Sequence, residues 1–367
     1  MIDLLELPLE LVLAVVQLLG NEDLRILSLV CRHLRPYCQA VLLQTCSIPI
    51  TLSLRRSVED YRILFQTPHF NESIRFLSIR GRPNNDPAYA NGDDQAWFAE
   101  VAGHIPTLRR LQCIEINKVE PGIPLLDAIF RSTVNKPMKL ILNLNTYPEE
   151  YTFPAKDLKI YHIEAGVRSV YIDPPEPYPT SFFPRLVSAC AATLSSLHIY
   201  DDHTYTNMWD NSSVQLRSLT VTATRDPSLV AFLQSQASLE ELIIRHDDSR
   251  VEGWASKLSG SDLPNLRSVM ASFGSLRYLV PGRPIREANP DNCCEDLTST
   301  GVHDFLCNTC PRAAGDGIES VDLGAVLSGS MVLPVLSKSQ RAISNIQYLG
   351  IPCLVKVRQS HVILRPF

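Results

Sequence analysis

Apolar residues near the start of the chain recur at helical intervals. Leu7, Leu11, Val15 and Leu18 fall at i, i+4, i+8 and i+11, which is one face of a helix. Pro8 suits the first turn, where a missing N–H costs nothing. Gly20 ends the pattern, and Asn21 can cap a second helix whose first turn carries Glu22 and Asp23, favourable to its dipole. Leu24, Leu27, Cys31 and Leu34 form the apolar stripe of that helix. A third helix is predicted from about His33 or Arg35, with Pro36 in its first turn, to about Cys46, and Pro49 stops it.

Beyond residue 72 the pattern changes to a repeated phrase, apolar-x-x-apolar-x-apolar. It occurs as Ile74-Leu77-Ile79, Leu111-Ile114-Ile116, Val167-Val170-Ile172, Leu194-Leu197-Ile199, Leu216-Leu219-Val221, Leu239-Leu242-Ile244, Leu266-Val269-Ala271, Ile318-Val321-Leu323 and Ile346-Leu349-Ile351. KLILNL, with Leu140, Leu142 and Leu144 alternating, is a looser member. Starts at 167, 194, 216, 239 and 266 are 22 to 27 residues apart, and those at 318 and 346 are 28 apart. The interval from 266 to 318 is 52, about two periods. The alternating end of each phrase predicts a short strand.

Helices are predicted between the strands, at Trp97 to Ile105, after Pro124, after Pro184 and after Asp226-Pro227. LKIYHIEAG runs directly into VRSVYI and reads either as a hairpin or as two stacked strands. Strand–helix units at this period stack into a solenoid, because one unit cannot bury its own face. A doubly wound α/β domain is the rival architecture. The terminal VILRPF is either a last strand that seals the stack or a sign of a short chain.

About fifty residues in three short helices bury little surface by themselves. They also carry a resemblance. Leu7, Pro8, Glu10 and Leu11, then Leu18 and Leu19, then Asp23 and Leu24, then Leu27, Ser28, Val30, Cys31, Arg32, Leu34 and Arg35 fill in order the pattern of an F-box. Val15 stands where that family often has isoleucine. The segment therefore resembles an F-box. The resemblance implies docking onto the Skp adaptor of Skp–cullin–F-box ubiquitin ligases, and through it onto a cullin. It implies Leu7, Pro8, Leu11, Val15, Leu18, Leu24, Leu27, Val30, Cys31 and Leu34 as the adaptor-binding set. Each of these can equally be intramolecular core, because an amphipathic stripe does not say what covers it.

The later region resembles the repeat regions of fungal F-box proteins, most clearly in LPNLRSVMASFGSLRYLVPGRPI from Leu263. The expected fold is α/β. A three-helix F-box over 1–50 is followed by a linker over 51–72 and an irregular leucine-rich-repeat-like α/β solenoid over 73–367. His198, Tyr200, Thr220, Ile243 and Arg245, between the core leucines, would line a target-binding face or be merely solvated strand positions.

Composition narrows the function. The net charge of −5 gives no whole-chain case for a nucleic-acid partner, which needs a concentrated basic surface. Asp3, Glu6 and Glu10 precede the first basic residue, Arg25, unlike a secretory signal. The uncharged run from Leu11 to Asn21 is too short to span a bilayer. The expectation is a soluble intracellular protein, cytoplasmic or nuclear. Its 10 scattered cysteines read as free thiols in a reducing compartment.

Cys293, Cys294, Cys307 and Cys310, with His303 nearby, half-match a zinc pattern, but a vicinal Cys-Cys pair does not fit two-knuckle geometry. A loop insertion between repeats is the other reading. Asp201, Asp202 and His203 read as an acidic turn, and the Gly/Ser stretch LSGSMV from Leu327 as an ordinary turn. No nucleophile elbow, P-loop, dinucleotide fingerprint or H-E-x-x-H motif occurs. No catalytic residue, cofactor or metal is therefore expected. The function expected is substrate recognition in a Skp–cullin–F-box ligase. The alternatives are an interaction scaffold without a ligase role, and a hydrolase or zinc-dependent enzyme on the α/β region.

Overall fold

The computed structural model describes residues 8–42, 45–49, 73–80, 93–117, 122–134, 136–143, 151–154, 158–166, 182–199, 209, 214–222, 228–245, 254–291, 302–303, 305–307, 318–323, 337, 339, 346–352 and 361–363. The linker expected over 51–72 and the strand phrase at 167–172 lie outside them. The chain divides into two compact units, Met1–Ile160 and Tyr161–Phe367.

The first unit opens with α1, Leu9–Leu18. The Pro8 carbonyl accepts from Leu11 N and Val12 N at 2.9 and 3.1 Å, so the proline starts the helix where its missing N–H is harmless. Helix α2 is Asn21–Val30. Gly20, in extended backbone, holds the capping position expected of Asn21, which is instead the first helical residue. Helix α3 is Arg35–Leu42, shorter than expected. Thr45–Pro49 forms a strand, β1. Thr45 and Ile48 are β-branched, and every residue of the segment pairs in parallel with β2, Phe76–Arg80. That pairing outweighs any helical continuation past Leu42.

Further on, the strand β3 (Cys113–Asn117) and β4 (Met138–Asn143) extend this sheet in parallel and in chain order. Leu77, Ile114 and Leu140 stand in one register row, and Ile79, Ile116 and Leu142 in the next. The helices α4 (Asp93–His104) and α5 (Ile123–Thr133) come before and after β3 in the chain. In α5, Leu125, Leu126, Ile129 and Phe130 are buried.

In the second unit the strands again follow chain order. They are β5 (Ile160–Gly166), β6 (Ser196–Ile199), β7 (Ser218–Thr222), β8 (Glu241–Arg245), β9 (Ser268–Ala271), β10 (Glu287–Pro290), β11 (Ser320–Asp322), β12 (Tyr348–Pro352) and β13 (His361–Ile363). Helices α6 (Phe182–Ala189), α7 (Ser228–Ser235) and α8 (Phe273–Leu279) lie between them in the chain. Leu197, Leu219, Leu242, Val269 and Ala288 form one buried row across β6 to β10. The ladder begins one residue before each strand: Arg217 N donates to Ser195 O at 2.7 Å, and Glu240 N to Arg217 O and Arg267 N to Glu240 O at 2.8 Å.

Strands β10 and β13 carry no leucine phrase. Strand β10, in the doubled interval, sets Ala288 where a leucine is expected, and Ala288 is fully buried. Strand β13 pairs antiparallel with β12. The C-terminal strand expected in VILRPF thus closes on its neighbour at Val362 and Ile363. Among the described residues, no helix is long and apolar enough to cross a membrane.

Candidate partner-binding surfaces

The three N-terminal helices pack around Val12, Val16, Leu24, Leu34 and Cys38. Leu27 and Cys31 lie half-buried against that cluster. The face of α1 that carries Leu11, Val15 and Leu18, expected among the adaptor contacts, points away from this cluster, and Leu18 is 86% exposed. Helix α1 is apolar nearly all round, so periodicity alone does not choose its inner face. Packing against α3 chooses Val12 and Val16.

Polar contacts tie Ser28 within α2 and to the start of α3. The Ser28 hydroxyl donates to Arg25 O at 2.7 Å, and Arg35 Nε donates to Ser28 O at 3.1 Å.

What remains outside is an apolar surface. Leu9, Leu11, Val15 and Leu18 of α1 are exposed, and so are Ile26, Leu29 and Val30 of α2. These are seven of the ten exposed large hydrophobics among the described residues. Scattered surface leucines need no explanation, but this density along two short helices marks an interaction site. Of the ten residues expected to meet the adaptor, Pro8, Leu11, Val15, Leu18 and Val30 are exposed, and Leu27 and Cys31 are half-buried. Leu24 and Leu34 belong to the helical core instead. Leu7 lies outside the described residues. Ile26 and Leu29 were not anticipated; their exposure follows from Leu24 and Ser28 turning inward.

The second surface is the polar side of the sheet. His198, Thr220, Ile243 and Met270 form one register row across β6 to β9. His198 and Ile243 are half-buried, Arg245 is exposed and Tyr200 lies outside the described residues. Thr220 is buried, so it does not present itself to a partner as the sequence suggested. Beside this row run Ser196, Ser218, Glu241, Ser268 and Glu287. There the Ser218 hydroxyl donates to Glu241 at 2.7 Å. In the first unit Ser78 donates to Glu115 in the same way, at 2.7 Å. Serine–glutamate pairs between adjacent strands keep buried or half-buried carboxylates hydrogen-bonded.

Of the cysteine–histidine cluster, Cys293, Cys294 and Cys310 lie outside the described residues. Cys307 is exposed, with its sulfur 3.6 and 3.7 Å from the two ring nitrogens of His303. His303 Nδ1 lies 2.9 Å from the hydroxyl of buried Ser339. Asp201 to His203 and the LSGSMV stretch are also outside the described residues.

Residues 4–42 match the F-box domain family. The match covers the three helices and their exposed apolar surface. F-box domains typically bind the Skp adaptor within Skp–cullin–F-box complexes, and proteins that carry them are generally adaptors rather than enzymes. No curated protein matches the chain.

Proposed function

We propose that this protein is the substrate-recognition subunit of a Skp–cullin–F-box ubiquitin ligase, acting in the cytoplasm or nucleus. The observation that carries the reading is the apolar surface of α1 and α2 within the matched segment. A large apolar side chain is worth about 1.5–3 kcal/mol when fully buried, so several exposed on two consecutive short helices support stable docking onto an adaptor helix or groove. Pro8, Leu11, Val15, Leu18 and Val30 are the adaptor contacts, with Leu27 and Cys31 at their margin.

The strand–helix units form a leucine-rich-repeat-like solenoid that binds the target. The chain-ordered parallel strands, the phrase spacing of 22 to 28 residues from Val167 to Leu266 and from Ile318 to Ile346, and the buried leucine rows support this reading. Its polar strand side, with His198, Ile243 and Arg245, faces the target. The mechanism is proximity. A tethered target lysine meets the ubiquitin thioester at a raised effective concentration, and this chain supplies no reacting group.

The test is co-purification of the full-length chain with a Skp adaptor and a cullin, followed by identification of proteins that accumulate when the chain is removed. Capture of both, abolished by Leu11→Asp with Val30→Asp, is the expected result. Capture of the adaptor without a cullin would favour a scaffold outside ubiquitin transfer. Adaptor binding that survives the double substitution would overturn the docking assignment.

A further inference from the structure

Strand β5 places His162 and Glu164 two residues apart, on one side of the sheet. The parallel register then sets His198 of β6 directly opposite Glu164. One donor atom from each of the three side chains lies within 4.8 Å of the others. His162 and Glu164 are well covered, with side chains 12% and 16% exposed. The rings of His162 and His198 meet edge to face at 4.6 Å.

The local hydrogen bonding is incomplete. His162 Nε2 stands 3.9 Å from the Glu164 carboxylate, too far for a hydrogen bond. That nitrogen is buried and has no hydrogen-bond partner. Thr220 Oγ1 is in the same condition, and Thr220 is the register partner of His198 on the next strand. A buried polar atom left without a partner loses its hydration with nothing in return. Two such atoms, on the strands that flank β6 on either side, beside a carboxylate and a second imidazole, point to a missing ligand.

We propose that His162, Glu164 and His198 bind a first-row transition-metal ion, with Zn2+ as the resident ion. Two imidazoles and one carboxylate form the donor set of open zinc sites, whereas Mg2+ and Ca2+ take oxygen ligands. Donors held at zinc distances of about 2.0–2.1 Å lie about 3.3 Å apart in a tetrahedral arrangement. The β5–β6 ladder sets His198 opposite Glu164, so the separations to close lie between side chains on paired strands. Ser196 Oγ lies 3.2 Å from His198 Nε2 and holds that ring, the outer-shell role hydroxyls play at metal-binding histidines. Three protein ligands leave a fourth position open to water or to a donor from outside. The site belongs to the second unit.

The full-length chain is stripped with a chelator, then loaded separately with Zn2+ and with Co2+ as a spectroscopic probe. One Zn2+ is retained per chain through gel filtration, and it raises the unfolding midpoint. Co2+ gives visible d–d absorption without the strong near-ultraviolet bands of thiolate ligation. His162→Gln, Glu164→Gln and His198→Gln each abolish retention, while metal-free unfolding midpoints stay near that of the metal-free parent. Ser196→Ala weakens Zn2+ binding about 10- to 100-fold. Cys307→Ser and Cys310→Ser change nothing. The proposal is overturned if the parent retains no Zn2+, if its Co2+ form shows thiolate bands, or if retention vanishes on replacing Cys307 or Cys310. Retention that survives His162→Gln and His198→Gln overturns it equally.

Discussion

Gln236 clamps the chain at Leu216, the residue that leads towards β7. Its side-chain oxygen accepts from Leu216 N at 2.8 Å, and its nitrogen donates to Val214 O at 2.8 Å. The amide is fully buried, so both backbone groups depend on it in place of water. Gln236→Leu strands an N–H and a carbonyl and is expected to cost on the order of 3 kcal/mol. The urea midpoint of the full chain measures this. Gln236→Glu should also destabilise, because a buried carboxylate would face the Val214 carbonyl. An unchanged midpoint in both variants would show that those groups find other partners.

The N-terminal helices separate folding residues from docking residues. Leu24 is 1% exposed, so Leu24→Ala should destabilise the helices by about 2–5 kcal/mol, seen as lost helical circular dichroism on mild heating. Leu29 is 74% exposed, so Leu29→Ala should change stability by no more than about 0.5 kcal/mol. Leu29 belongs to the same exposed apolar surface as the proposed contact Val30, so the same change is expected to weaken adaptor binding by about 2 kcal/mol, or some 30-fold, in titration calorimetry. Equal losses of stability from the two substitutions would contradict the division.

Thiol reactivity should follow burial. Desolvation pushes the Cys190 thiol far up, and it raises Cys38 too, with the neighbouring Cys31 adding to the effect. A raised thiol stays protonated and unreactive near pH 8. Cys307 is exposed. Alkylation of the native chain near pH 8 should therefore label Cys307 and spare Cys190 and Cys38, and unfolding should release all three. Peptide mass mapping distinguishes the outcomes.

Strand β12 needs a glycine at one point. A Cβ on Gly350 would strike the Asp322 carboxylate and come within 3.3 Å of Asp322 Cα, in the register pair that joins β11 to β12. Leu323 N donates to Gly350 O at 2.8 Å, so the strands cannot easily part to make room. Gly350→Ala should cost about 1–3 kcal/mol. Because β13 hangs on β12, faster limited proteolysis near the C-terminus is the readout.

Alkaline stability should depend on Tyr151. Its hydroxyl donates to Asp127 Oδ1 at 2.8 Å, and burial first, then that bond, raise the phenol above its usual value of 10.0. The folded state keeps a proton that the unfolded chain loses near pH 10. The contribution is present below that pH and is lost as pH rises towards the folded value. Tyr151→Phe should flatten this part of the stability profile.

Much of the architecture was legible in the chain. Pro8 and Gly20 mark helix boundaries through backbone chemistry that is local, so the first two helices were placed well. Leucine phrases located β2, β3, β6 to β9, β11 and β12, because an alternating apolar pattern needs no knowledge of neighbours. Strand β10 escaped because EANP has no strand propensity of its own. It is a strand because the ladder of β9 continues through it.

The sequence by itself determined that three amphipathic helices precede a run of strand–helix units, since periodicity and turn chemistry are local properties. Tertiary structure decided which face each element buries. In α1 both Leu11–Val15 and Val12–Val16 offered an apolar stripe, and only packing of the three helices sent the second inward and left the first outside. His162 and Glu164 sat unremarked in LKIYHIEAG for the same reason. They lie more than thirty residues from His198, and strand register alone brings the three together.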